Sequence, residues 1–257
     1  MWDGGATSLR TVPAHATAIA ALAIARDGDA VLAFSAAGRV VRVHRLGGAA
    51  GDADELPEAP SPINALAAAG PDRLIAAGAD GLVRPWQRGQ GWGEPVQRHD
   101  GAALAVALAG DQVVSGGVDT LVRVGPATWR GHAWDVHAVA AAAGVVVSAA
   151  RDGAVAVWRG GTPHLLGGRH AGAPAALALA PDGAIVASAS RDDAVVIWRV
   201  ADAVELARWT ADAPPTALAM VDARTVAVGD AAGEVAILAL PDVELPGLAL
   251  PGLELPG

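Results

Sequence analysis

Residues Ser188–Trp198 read SASRDDAVVIW: a small polar start, an acidic pair, then an alternating apolar run closing on tryptophan. Taken alone, Ser188, Asp192 and the upstream His170 look like parts of a hydrolytic triad. Slid along the chain, the stretch recurs. SAARDGAVAVW spans Ser148–Trp158, AAGADGLVRPW Ala76–Trp86, SGGVDTLVRVG Ser115–Gly125 and VGDAAGEVAIL Val228–Leu238, while a longer AFSAAGRVVRVH covers Ala33–His44. The Asp column falls on Ala37 or Gly38, Asp80, Asp119, Asp152, Asp192 and Ala232, the later steps being 39, 33, 40 and 40 residues. A period of about 40 residues marks stacked supersecondary units. A catalytic set is needed once, so a set that repeats at fixed spacing is architecture. No G-x-S-x-G elbow, phosphate loop, HExxH or EF-hand spacing is present.

Each unit has one anatomy. An alternating segment such as Leu104, Val106, Leu108 or Leu177, Leu179 predicts a half-buried strand. In the first unit the same positions are Leu22 and Ile24, and in the second Ile63 and Leu66. Turn signals follow at Asp27–Gly28, Gly110–Asp111 and Pro181–Gly183. A second, β-branched run comes next (Val145–Val147, Ile185–Val186), then the Asp turn, a third run ending in Trp, and a weaker fourth segment such as Val204–Trp209. Four antiparallel strands per repeat predict an all-β propeller.

These residues resemble the WD40 repeat family, whose blades carry His before the first strand, Ser or Thr in the second, Asp in the turn and Trp in the third. Two units match throughout: His132, Ser148, Asp152, Trp158 and His170, Ser188, Asp192, Trp198, the first with the Gly131-His132 dipeptide. A third has His99, Ser115 and Asp119 with Gly125 at the Trp position; another keeps Asp80 and Trp86; the first keeps His15, with His44 at the Trp position. The last unit has none of the four. The resemblance implies a network in which Trp donates to the hydroxyl, His links hydroxyl and carboxylate, and Asp holds backbone N–H groups. Buried, each group would be costly without the others. Degenerate units, with apolar residues such as Val228, Ala232 and Leu238, are expected to leave fewer orphaned groups.

The resemblance covers residues 1–240 and implies one propeller domain, with six blades expected from the count. Seven blades, or a cut from a longer repeat array, are the alternatives. The opening Trp2-Asp3 and a strand over Ser8–Val12 are expected to complete the last blade and close the ring, removing an exposed edge. Residues 241–257 place Leu-Pro every five residues and read as a disordered or polyproline-like tail or linker.

Composition narrows the function. The 257 residues are 53% hydrophobic, with net charge −9, no Cys, and 18 basic residues that are all Arg. The acidic balance argues against wrapping nucleic acid. Absent Cys excludes disulfides, thiolate metal sites and Cys nucleophiles. The longest run free of charge or His, Ala138–Ala150, is too short for a membrane span of roughly 20 residues. A monomeric, cytoplasmic protein of a GC-rich bacterial genome is the expectation, with no metal and no cofactor.

Function then lies on the surface. The resemblance places Arg151 and Arg191, just before the turn Asp, and Trp134 and Asp135, just after the His, at one end of the ring. Trp and Arg are enriched at binding hot spots. The alternative for Trp134 is packing on its own blade. Arg39, Arg42 and Arg45 form a second basic strip, and Asp52, Asp54, Glu55 and Glu58 a charged loop. His44, His137 and His164 read as surface or strand positions. The expected function is a non-catalytic scaffold or regulatory module for a protein or peptide partner. The rival is a propeller enzyme of lactonase or hydrolase type, which needs carboxylates, Asn or His converging on the central channel.

Overall fold

The computed structural model describes residues 15–46, 53–167 and 169–240, and these contain 24 strands and no helix. The strands fall into six antiparallel sheets in chain order. The first blade is β1 (Ala21–Asp27), β2 (Ala30–Ala37), β3 (Val40–Leu46) and β4 (Ala53–Glu55). The second is β5 (Ile63–Ala68), β6 (Arg73–Gly78), β7 (Leu82–Gln87) and β8 (Gly91–Trp92), with β9 (Gln97–Arg98) also paired to β7. The third is β10 (Ala103–Ala109), β11 (Gln112–Gly117), β12 (Val122–Val124) and β13 (Ala127–Trp129), and the fourth β14 (Val136–Ala142), β15 (Val145–Ala150), β16 (Val155–Arg159) and β17 (Thr162–Leu165). The fifth is β18 (Pro174–Leu179), β19 (Ile185–Ser190), β20 (Ala194–Arg199) and β21 (Val204–Thr210); the sixth has β22 (Pro215–Met220), β23 (Thr225–Asp230) and β24 (Val235–Ala239). The expected closing strand over Ser8–Val12, and the tail 241–257, lie outside the described residues.

The core sits between blades. Second strands are buried on both faces, as in β15 and β19, where every residue is buried. This is why they read as continuous Val, Ile and Ala runs rather than alternating ones. One face of each blade meets the opposite face of the next. The Trp198 face of the fifth blade packs on Val155 and Val157 of the fourth, and its Val195 and Ile197 face packs on Val226 and Val228 of the sixth.

Close backbone approach locks neighbours together. The amide of His170 donates to the carbonyl of Gly153 at 3.0 Å, and a Cβ on Gly153 would lie 2.1 Å from the His170 carbonyl oxygen. Gly81 has the same relation to His99. Both glycines sit at positive φ, so no other residue fits there without strain. The glycine after the turn Asp is therefore a seat for the next blade's His loop.

Inner strands pack in order, β1 on β5, β5 on β10, β10 on β14, β14 on β18 and β18 on β22. No comparable packing joins β22 to β1 among the described residues. The expectation of half-buried positions in the first strand therefore fails there: Leu22 and Ile24 are 65% and 67% exposed, and no blade among the described residues packs on that face.

Candidate functional site

The repeated polar residues meet inside the blades. In the fifth, Trp198 Nε1 donates to Ser188 Oγ at 2.9 Å and His170 Nε2 lies 2.8 Å from the same oxygen. His170 Nδ1 is 3.2 Å from Asp192 Oδ1, and Asp192 accepts the amides of Ala171 and Ala194. The indole, hydroxyl, imidazole and carboxylate form one chain from the third strand to the loop before the first.

The fourth blade departs from the implied pattern. Trp158 Nε1 donates to Ser148 Oγ at 2.6 Å and His132 Nε2 is 2.6 Å from it. Asp152, however, accepts the Ala154 amide and pairs with Arg169 at 3.0 Å instead of His132. His132 Nδ1 is left buried without a partner. The cause is the residue before the next His: Arg169 arrives on the loop that docks at Gly153 and takes the carboxylate.

The third blade is better joined than its missing Trp implies. His99 lies 2.7 Å from both Ser115 Oγ and Asp119 Oδ1, and Asp119 accepts the amides of Asp100 and Leu121. Gln97, on β9, stands in for the indole. Its Oε1 accepts from Ser115 at 2.7 Å, and its Nε2 donates to the carbonyls of Val113 and Gly125. Sequence reasoning missed Gln97, and the only signal was the glycine at the Trp position, whose carbonyl Gln97 binds. Trp129, on β13, adds a buried ring stacked 5.4 Å from Trp158.

In the first blade Ser35 Oγ sits between His15 Nε2 at 2.9 Å and His44 Nε2 at 3.1 Å. Of the two expected settings for His44, surface or strand, the structure has the strand: it lies on β3 as a buried network member. In the second blade Asp80 accepts the Leu82 amide and pairs with Arg84 at 2.8 Å, but Ala76 stands at the Ser position and Trp86 Nε1 has no partner. The expectation of fewer orphans in degenerate units fails here. In the sixth blade Asp230 accepts the amides of Ala232 and Glu234, taking over the turn two residues early.

Burial holds the pKa of His99, His132 and His170 below the ordinary imidazole value, only partly opposed by the neighbouring Asp119, Asp152 and Asp192. Burial also acts to raise Asp119 and Asp192, yet hydrogen bonds leave both below the usual carboxylate range: His99 and the Asp100 amide on Asp119, the Ala171 amide on Asp192. The pairs are neutral imidazole beside carboxylate.

The expected binding face has its own geometry. Trp134 is 54% exposed, with the Arg151 guanidinium 5.8 Å from its ring centroid. Arg151 also lies 3.9 Å from Asp135. The charges of Arg151 and Arg191 both reach His137, which lines the central channel beneath them. The other basic strip is neutralised: Arg39 pairs with Glu58, Arg42 with Glu55 and Arg45 with Asp27. Asp52 lies outside the described residues, and His164 is an exposed strand residue.

The channel encloses a cavity of about 320 Å³ walled by inner strands, with Asn64 and His137 as its polar side chains. Asn64 is committed to the Ala103 carbonyl at 2.8 Å. No carboxylate lines the cavity, and no group of three His, Cys, Asp or Glu that could hold a metal ion occurs among the described residues.

The fold and its internal fasteners define a WD40-type β-propeller of six blades. The WD domain, G-beta repeat model matches residues 167–199, the fifth blade with its complete network. No curated protein matches the chain. Among solved structures it is similar to the computationally designed Ika8 protein, at 27% identity and TM-score 0.69 over 88% of this chain and 72% of that one. It is also similar to U3-55K, at 20% identity and TM-score 0.78 over 90% of this chain and 80% of that one.

Proposed function

We propose that this propeller is a non-catalytic protein-interaction module that binds a protein or peptide partner at the end of the ring carrying Trp134, Asp135, Arg151 and Arg191. The observation that carries the reading is the exposed Trp134 ring under the Arg151 guanidinium. An exposed aromatic–cation pair is an anchor type enriched at hot spots. The fasteners fix the loops that present it: Asp192 holds the turn after Arg191, and the Arg151 amide is tied to the Asp135 carbonyl at 2.9 Å. A partner segment with an acidic group beside an apolar one suits this surface. Nothing in the channel favours the enzyme alternative.

The test is capture by immobilised full-length chain, comparing wild type with Trp134→Ala and with the Arg151→Ala/Arg191→Ala pair. A partner identified by mass spectrometry should be retained by wild type and lost from both variants, since a hot-spot truncation costs about 2 kcal/mol or more. Equal capture by all three would end the proposal.

A further inference from the structure

The inner strands of the second to sixth blades each carry an extra residue near their start. The register shifts between Ile63 and Ala65, Ala103 and Ala105, Val136 and Ala138, Pro174 and Ala176, and Pro215 and Ala217. The residues left over are Asn64, Leu104, His137, Ala175 and Thr216. A bulge re-aims the side chain it carries, and Asn64, Leu104 and His137 line the central cavity. Asn64 donates to the Ala103 carbonyl at 2.8 Å, and the Thr216 hydroxyl to the Gly229 carbonyl at 3.3 Å. The exposed His137 ring, in contrast, makes no hydrogen bond among the described residues.

Two arginines stand at the same end. The Arg151 amide donates to the carbonyl of Asp135, two residues before His137, at 2.9 Å. The Arg191 amide donates to the carbonyl of Ala173, just before β18, at 3.3 Å. β14 and β18 are neighbouring inner strands, so both arginines leave the rim beside His137, and both charges reach its imidazole. Asp135 offsets Arg151 at 3.9 Å. The Arg191 guanidinium has no carboxylate or carbonyl partner among the described residues. A chain of net charge −9 thus keeps uncompensated positive charge at one mouth of its channel. Beyond that mouth the cavity wall is aliphatic, with Leu66, Leu104, Val106, Val139 and Leu177.

We propose, resting on this end of the ring being the partner surface, that the channel mouth seats the C-terminus of the partner chain. The terminal carboxylate lies among Arg191, Arg151 and the His137 ring. The last side chain is aliphatic and enters the cavity, and the residues before it run out across Trp134. A cavity of about 320 Å³ is at the small end of ligand sites, so it takes a chain end and not a segment that enters and leaves by one mouth. A C-terminal residue also carries its anion and its apolar group on one carbon. That close pairing matches His137 and Val139, which line the cavity two residues apart on β14. A free small acid would leave Trp134, 54% exposed at the rim, uncovered.

The probes are N-acetylated peptides Gly-Ser-Leu-Leu-X, with X in turn Ala, Val, Leu, Ile, Met and Phe. Each is made with a free C-terminus and as its carboxamide. Binding to the full wild-type chain, up to millimolar peptide, is followed by NMR from the His137 ring and Trp134 indole protons, so the result does not depend on a variant folding. At least one aliphatic X should bind about tenfold or more tighter as the acid than as the amide, because charge-assisted hydrogen bonds are the stronger kind. Arg191→Gln should cut that preference to about twofold or less. N-acetyl-X alone, which keeps the carboxylate and lacks the preceding chain, should bind about tenfold more weakly than the peptide. Amides that bind as tightly as acids, or no binding by any peptide, overturn the proposal. N-acetyl-X binding as tightly as the peptide overturns it in favour of a free small acid. A captured partner still held after its own C-terminus is amidated overturns the C-terminal mode and leaves the partner surface standing; capture indifferent to Trp134, Arg151 and Arg191 ends both.

Discussion

The second and fifth blades carry Asp and Trp at the same register, but the second lacks both the hydroxyl and the histidine that join them in the fifth. Trp198 donates to Ser188, whereas Trp86 faces Ala76 and its indole N–H has no partner. Yet Trp86 is 4% exposed, hardly more than Trp198 at 0%. A tryptophan buries about 150–250 Å², and at about 25 cal/mol per Å² that is worth several kcal/mol. The unmade hydrogen bond costs about 1–3 kcal/mol. Area therefore drives the ring in, and the hydroxyl decides only how firmly one packing is held.

The strongest way to break this comparison is to remove the indole nitrogen from both blades. Trp198→Phe should lower stability by about 2–3 kcal/mol, because Ser188 and His170 lose a buried partner. Trp86→Phe should cost under about 1 kcal/mol, since the nitrogen it deletes is already unpaired. Urea denaturation midpoints of the two variants decide it; equal losses would mean that the network adds nothing beyond the ring.

Acid separates the same two blades. The His170 pKa is lowered in the fold, first by burial, so the unfolded chain takes up a proton that the native blade refuses. Its contribution is complete above the unfolded value of about 6.5 and is lost as pH falls below it. Asp192, with a lowered pKa, contributes above the usual carboxylate range and is lost only in stronger acid. The second blade has no buried His. Hydrogen exchange, corrected for intrinsic rates, should show β19 and β20 losing protection as pH falls below about 6.5 while β6 and β7 hold. Simultaneous loss in both would refute the local origin.

A smaller effect runs the other way. Ala76→Ser places a hydroxyl opposite Arg84, the register that Ser188 holds opposite Val196. It should raise stability by about 1 kcal/mol if it accepts the Trp86 N–H. A loss instead would show that the second blade has closed down around the missing oxygen.

The propeller was legible because strand period, turn residues and the His, Ser, Asp and Trp columns all repeat together. What was not legible is pairing that depends on a neighbour. Arg169 takes Asp152 from His132 because the next blade's loop docks at Gly153, a contact across blades that no repeat spacing displays. Gln97 reaches Ser115 from a strand of the previous sheet. Leu22 and Ile24 have the pattern of covered positions, and only the order of blades around the ring shows that no other described blade packs on them.

The smallest expected effect tests whether the fasteners and the binding face are separate systems. Trp134 is more than half exposed, and its one ring contact to a cation, Arg151, is itself on the surface. An exposed cation–π pair is worth about 0.5–1 kcal/mol, part of which Arg151 regains by pairing with Asp135. Trp134→Ala should therefore shift the urea midpoint by no more than about 0.5 kcal/mol, against the several-fold larger loss at Trp198. A loss near 2 kcal/mol would make Trp134 part of the blade's packing and would move the search for the partner surface to Arg191.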